Sequence, residues 1–210
     1  MSEELGMTHR FVKGSRPDTL LLLHGTGGDE DDLLALGRDL DAESNLLSPR
    51  GNVLENGMPR FFRRLAPGVF DLEDLFARTH ELASFVFNAA STYGFDPDLV
   101  TAIGYSNGAN IAASLLLLRP DVLASAALLH AMVPFEPEEL PSLNGVEVLL
   151  TAGRRDPMMP VEGTKRLEQI LTDAGAEVTL EWQPGGHELT QAEFEVLSTW
   201  LQHRLKGAAT

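Results

Sequence analysis

The sequence has no cysteine among its 210 residues. That excludes disulfides, a thiol nucleophile and cysteine-ligated metal or iron–sulfur centres. Lysine is scarce: Lys13, Lys165 and Lys206 are the only ones among 16 basic residues, a bias of composition without a functional reading of its own. No apolar run approaches the roughly 18 residues of a membrane span. Met1–Met7 is acidic rather than a basic stretch feeding an apolar one, so no export signal is expected and the expected location is the cytoplasm. Positive charge is short as well. The 31 acidic residues against 16 basic ones leave −15, a field that repels phosphate backbones and anionic lipid and disfavours nucleic acid and membranes as partners.

What is present is enough for a core. Hydrophobic residues make up 43% and charged residues 22%, the balance of one globular domain spanning 1–210. Thr19–Leu23 is apolar throughout and ends at His24-Gly25, the pattern of a strand buried on both faces. Asp29–Asp32 places acidic residues where a helix running to Leu40 would begin. Asn45–Ser48, Leu99–Tyr105, Val122–Leu129 and Val146–Thr151 read as further strands. Glu177–Trp182 alternates charged and apolar residues, as a strand at a sheet edge does. Helical spacing covers Glu73–Ala90, Gly108–Leu118, Thr164–Asp173 and Glu188–Leu205. Strand and helix alternate, so the expected fold class is α/β: a mostly parallel sheet with helices on both faces and no separate cap domain. Such sheets carry ligands beyond the carboxyl ends of their strands.

The unusual residues lie at those ends. Gly104-Tyr105-Ser106-Asn107-Gly108 follows a strand and opens a helix, the context of a sharp turn that exposes a nucleophilic serine. Ser106 needs a base, and His187, in Pro184-Gly185-Gly186-His187-Glu188 after the last strand, is placed to serve. The base needs a carboxylate, and Asp156 follows the Val146–Thr151 strand. The rival, Asp121, starts a strand and so sits on the wrong edge. His24 is expected beneath a neighbouring turn, and His9, His80, His130 and His203 at surface or packed positions. No two histidines have helical metal-site spacing. Backbone N–H groups of Asn107 and Thr26 would receive a developing oxyanion. The segment from Arg50 to Val69 has no clean periodicity. Met58, Phe61 and Phe62 could form an apolar wall beside the site, and Arg50 could bind an anionic group.

Taken together, HGTGGDE at 24–30, SPRG at 48–51, GYSNGA at 104–109, GRRDPMMP at 153–160 and GGHEL at 185–189 resemble the phospholipase/carboxylesterase family of α/β-hydrolases. SPRGNVLENGMPRFFRR resembles its small bacterial branch associated with hydroquinone stress, often described as dienelactone-hydrolase-like. The resemblance implies Ser106 as nucleophile, Asp156 and His187 as its partners, and Thr26 and Asn107 as the oxyanion hole. It implies hydrolysis of small carboxylic esters, with short acyl or aryl groups, through an acyl-enzyme and without metal or organic cofactor. A thioesterase or lactone hydrolase would use the same residues, and a non-catalytic quinone-ligand binding protein would keep the fold alone. Asn107 replaces the Gln of acyl-protein thioesterases, and the serine replaces the Cys of true dienelactone hydrolases. A homodimer is compatible with this kind of fold.

Overall fold

The computed structural model describes residues 5–207. Its strands are β1 (His9–Val12), β2 (Thr19–Leu23), β3 (Asn45–Pro49), β4 (Val53–Glu55), β5 (Met58–Arg60), β6 (Arg64–Ala66), β7 (Val69–Phe70), β8 (Val100–Tyr105), β9 (Ser125–Leu129), β10 (Glu147–Gly153) and β11 (Glu177–Gln183). The helices are α1 (Leu34–Leu40), α2 (Leu72–Tyr93), α3 (Asn107–Leu118), α4 (Val161–Asp173) and α5 (Gln191–Gly207). Seven strands form one sheet in the order β1-β3-β2-β8-β9-β10-β11. All neighbours run parallel except β1, which is antiparallel to β3.

The apolar runs exist because both faces are covered. Leu21 and Leu23 of β2 enter the core under α2, α3 and α4, whereas Leu20 and Leu22 enter the one under α1 and α5. β10 divides likewise, with Val148 and Leu150 on one face and Leu149 on the other. Burial of each such leucine is worth about 1.5–3 kcal/mol. β11 closes one edge of the sheet, and the side chains of Glu177, Thr179 and Glu181 stay exposed.

Three expectations change. Helix α1 starts at Leu34, without an acidic first turn. The preceding acidic run folds into a turn instead: Asp29 accepts the Asp31 N–H at 2.9 Å and Asp31 pairs with Arg10 at 2.8 Å. His9–Val12, which carries no strand signal of its own, adds the antiparallel edge. The aperiodic segment after Arg50 is two small hairpins, β4–β5 and β6–β7, with strands too short to show alternation.

Candidate active site

Ser106 stands between β8 and α3 at φ 53° and ψ −111°. A side chain is strained there, and the surroundings enforce the strain. A Cβ on Gly104 would strike the Gly108 carbonyl, and one on Gly108 would strike the Leu23 carbonyl. Strand and helix therefore approach as closely as glycine permits, and the serine is pushed out at the carboxyl edge.

The loop after β10 brings Asp156 and the loop after β11 brings His187. The two loops are laced together: Arg154 N–H donates to Gln183 O at 2.8 Å and Arg155 N–H to Gly185 O at 3.0 Å. Tyr105, beside the serine, donates its hydroxyl to His187 O at 2.8 Å. Across this frame His187 Nε2 lies 2.9 Å from Ser106 Oγ, and His187 Nδ1 lies 2.7 Å from Asp156 Oδ2. The sequence-predicted trio is thus one hydrogen-bonded chain. Asp156 Oδ1 also accepts the N–H groups of Met158 and Met159 at 2.8 and 3.2 Å. Burial works to raise the Asp156 pKa. The bonds from His187, Met158 and His130 outweigh it, and the carboxyl is held below its ordinary value. An ionised Asp156 requires Nδ1 of His187 to donate, which leaves Nε2 free to accept the serine proton.

Sequence reasoning missed the next layer. His130, at φ 57° just after β9, is fully buried and places Nδ1 3.1 Å from the same Asp156 Oδ2. Its Nε2 is 3.0 Å from Glu193 Oε1, close enough for an ion pair but off the line of a good hydrogen bond. Burial lowers the His130 pKa, yet the close Glu193 carboxylate, with the bond and charge of Asp156, reverses the outcome and raises it. Glu193 is held down in turn: burial opposes, and His130, Thr151 and the Thr190 N–H prevail. Two buried carboxylates facing the two ring nitrogens of His130 favour the imidazolium form. The ligand atoms of His130, Asp156 and His187 lie within 4.8 Å of one another, a metal-compatible cluster whose Asp156 oxygen both imidazoles already occupy.

On the other side, Thr26 and Asn107 both line a pocket with Ser106. The Thr26 turn is pinned by hairpin β4–β5: Gly27 N–H donates to Pro59 O at 2.9 Å and Arg60 Nη1 to Thr26 Oγ1 at 2.5 Å. Asn107 Oδ1 accepts the Phe61 N–H at 2.7 Å. His24 lies underneath, donating from Nδ1 to Gly25 O at 2.7 Å and accepting the Gly51 N–H on Nε2 at 3.0 Å. Burial lowers its pKa against the pull of the Gly25 carbonyl.

The expected apolar wall is not there: none of Met58, Phe61 and Phe62 lines the pocket. Met58 hangs over the Thr26 turn, its Sδ near where a Cβ of Gly27 would stand. Phe61 and Phe62 lie in the main core instead of lining the pocket: Phe61 packs on the His24 ring at 4.7 Å, and Phe62 meets Phe70 edge-on at 5.0 Å. Arg50 is turned to Glu30, with bonds of 2.5 and 2.8 Å, and is absent from the pocket. The lining comes from Phe70, Met132, Met158 and Met159, with Arg60 and Arg64. The pocket holds about 30 Å³, room for a couple of water-sized groups. A larger groove of about 860 Å³ runs between β11 and α5, away from Ser106 and lined by glutamates and Trp200. It brings no nucleophile, base and acid together, so size does not mark the site here.

Residues 12–205 match the family model described as phospholipase/carboxylesterase. The chain belongs to that family. With it comes the enzyme class, a hydrolase acting on ester bonds. The chain is 51% identical over 199 residues, 95% of its own length and 100% of the relative's, to the putative hydrolase MhqD of Bacillus subtilis (strain 168). The crystal structure of the Bacillus cereus carboxylesterase superposes with a TM-score of 0.93 at 50% identity, covering 94% of each chain. The structure of YahD with malic acid superposes with a TM-score of 0.88 at 32% identity, covering 92% of this chain and 97% of that one.

Proposed function

We propose that the protein is a serine carboxylesterase for small esters, with Ser106 as nucleophile, His187 as base and Asp156 as its orienting acid. The observation that carries this reading is the 2.9 Å contact between His187 Nε2 and Ser106 Oγ, at the end of a chain anchored by an ionised Asp156. His187 takes the serine proton as Oγ bonds to the ester carbonyl carbon. The carbonyl oxygen becomes an oxyanion held by the N–H groups of Thr26 and Asn107. Collapse breaks the ester C–O bond, and the alcohol leaves with the proton from His187. Water, deprotonated by the same imidazole, then cleaves the acyl-enzyme, releasing the acid and restoring Ser106.

The small pocket favours short acyl groups. The neighbour solved with malic acid adds a parallel, since that is a small carboxylic acid and acids are one product of ester hydrolysis. No helix among the described residues is long and apolar enough to cross a membrane, which fits a substrate met in water. Ser106→Ala should lower kcat/KM on p-nitrophenyl acetate by about 10⁴-fold or more and abolish labelling by a fluorophosphonate. Retention of the parent rate would overturn the assignment. A protein that is folded, yet neither labelled nor active, would be the binding protein and not the esterase.

A further inference from the structure

The pocket beside Ser106 carries a charge at odds with the molecule. The chain as a whole is −15, yet Arg60 and Arg64 both line this pocket and share one carboxylate. Arg64 grips Glu55 from Nε at 2.9 Å and from Nη2 at 2.6 Å, and Arg60 Nε lies 3.3 Å from the other Glu55 oxygen. No other acidic partner of either arginine is found among the described residues. Two guanidiniums against one glutamate leave a net positive charge. The Arg60 side chain is 4% exposed and that of Arg64 23%, so water screens the first poorly. Burial, and next the charge of Arg64, press the Arg60 pKa downward while Glu55 works the other way, as expected of a pair short of counter-charge.

Hydrogen-bonding capacity is skewed the same way. Asn107 spends Oδ1 on the Phe61 N–H, and its Nδ2 is buried without a partner. Asn110 spends Oδ1 on the Met132 N–H at 2.7 Å, so its amide also has only donors left to offer. Both asparagines line the pocket. An orphaned buried donor is costly, and donors gathered around a positive corner call for an acceptor that carries negative charge.

We propose that this corner is an anion subsite, so that the ester hydrolysed at Ser106 bears a carboxylate, or an oxyanion of similar size, within a few bonds of the scissile carbonyl. Arg64 and Arg60 bind that group, with the Asn107 and Asn110 amides as further donors. This rests on the reading of Ser106 as nucleophile. The chemistry is unchanged and balanced: with the anion on the acyl side, a half-ester anion and water give a dicarboxylate, an alcohol and one proton; with it on the alcohol side, acetoxyacetate and water give acetate, glycolate and one proton.

The test compares esters that differ by carboxylate against methyl: monoethyl fumarate with ethyl crotonate for an anion on the acyl side, and acetoxyacetate with ethyl acetate for one on the alcohol side, each followed by proton release at constant pH. The parent enzyme should favour the charged member of at least one pair by about tenfold or more in kcat/KM, less so as salt rises. Arg64→Met should remove that preference, Arg64→Lys should keep most of it, and Glu55→Gln, which removes the competing carboxylate, should enlarge it. Charged-to-neutral ratios that are the same in the parent and in Arg64→Met for both pairs would overturn the subsite. If p-nitrophenyl acetate is hydrolysed and the fluorophosphonate labels Ser106 while those ratios stay flat, the subsite alone falls. If neither label nor hydrolysis appears, the esterase reading falls and takes the subsite with it.

Discussion

His24 and His130 both follow a strand of the central sheet, both are buried, and both support an element of the site. Their electrostatics are opposite. His24 meets a carbonyl and an N–H, which suit a neutral imidazole, and burial holds its pKa down. His130 meets two carboxylates, and despite burial its pKa is up. Burial is common to the two, so the partners decide the charge. A neutral ring is enough to prop up a turn of backbone. A charged one suits a place between the Asp156 and Glu193 carboxylates.

The largest expected effect comes from removing the charged ring. His130→Gln leaves two buried carboxylates without their cation, and breaking such a pair costs about 3–5 kcal/mol. Denaturant unfolding should register that loss, with a lower kcat/KM in whatever remains folded. His24→Ala should cost less, about 1–3 kcal/mol, because it orphans the Gly51 N–H, removes one of the bonds to the Gly25 carbonyl and empties a ring-sized space beside Phe61, but strands no charge. If the two losses were equal, the contrast between a charged and a neutral support would fail.

The pH dependence of stability sharpens the comparison. His130 has a folded pKa above its ordinary 6.5, so its stabilisation is complete below about pH 6.5 and is lost as pH climbs through the raised value. His24 has a folded pKa below 6.5, so the folded state resists protonation and stability declines as pH falls from about 6.5 through the lowered value. Melting temperature against pH should thus lose its alkaline decline in Glu193→Gln, which returns His130 towards its ordinary pKa. The part of the acid decline due to His24 should vanish in His24→Gln. Asp156 and Glu193 add a further decline at lower pH, as each is protonated through its depressed value. Smallest of all is the exposed Arg10–Asp31 pair, whose side chains are about half accessible. Arg10→Ala should leave stability nearly unchanged, because water screens the pair, a baseline for the buried cases.

Most of the sheet was legible because a strand covered on both faces has no polar side to disguise it: β2, β8, β9 and β10 read as plain apolar runs. β1 was not, because His9-Arg10-Phe11-Val12 sits on an edge and is fixed by pairing with β3. Hairpins of two or three residues per strand leave no period to detect. The Ser106, Asp156 and His187 positions were legible because each stands just past a strand's carboxyl end in a glycine-rich turn. His130 stands in the same kind of place, but without glycines to flag it. Glu193 had a signal too: Thr190-Gln191-Ala192-Glu193 has the spacing of a helix capping box. The structure bears it out, with Thr190 N–H on Glu193 Oε2 at 3.1 Å and Glu193 N–H on Thr190 Oγ1 at 3.2 Å. Phe61 and Phe62 were misplaced because an aromatic in a loop has no sequence mark that tells inward from outward.

That capping box has a thermal consequence. Glu193 closes the first turn of α5 and, with its other oxygen, faces His130. Helix ends are where fraying begins, so warming that loosens this one turn also withdraws the carboxylate from the imidazolium, which is then left to Asp156 alone. Catalysis should therefore fade some degrees before ellipticity does.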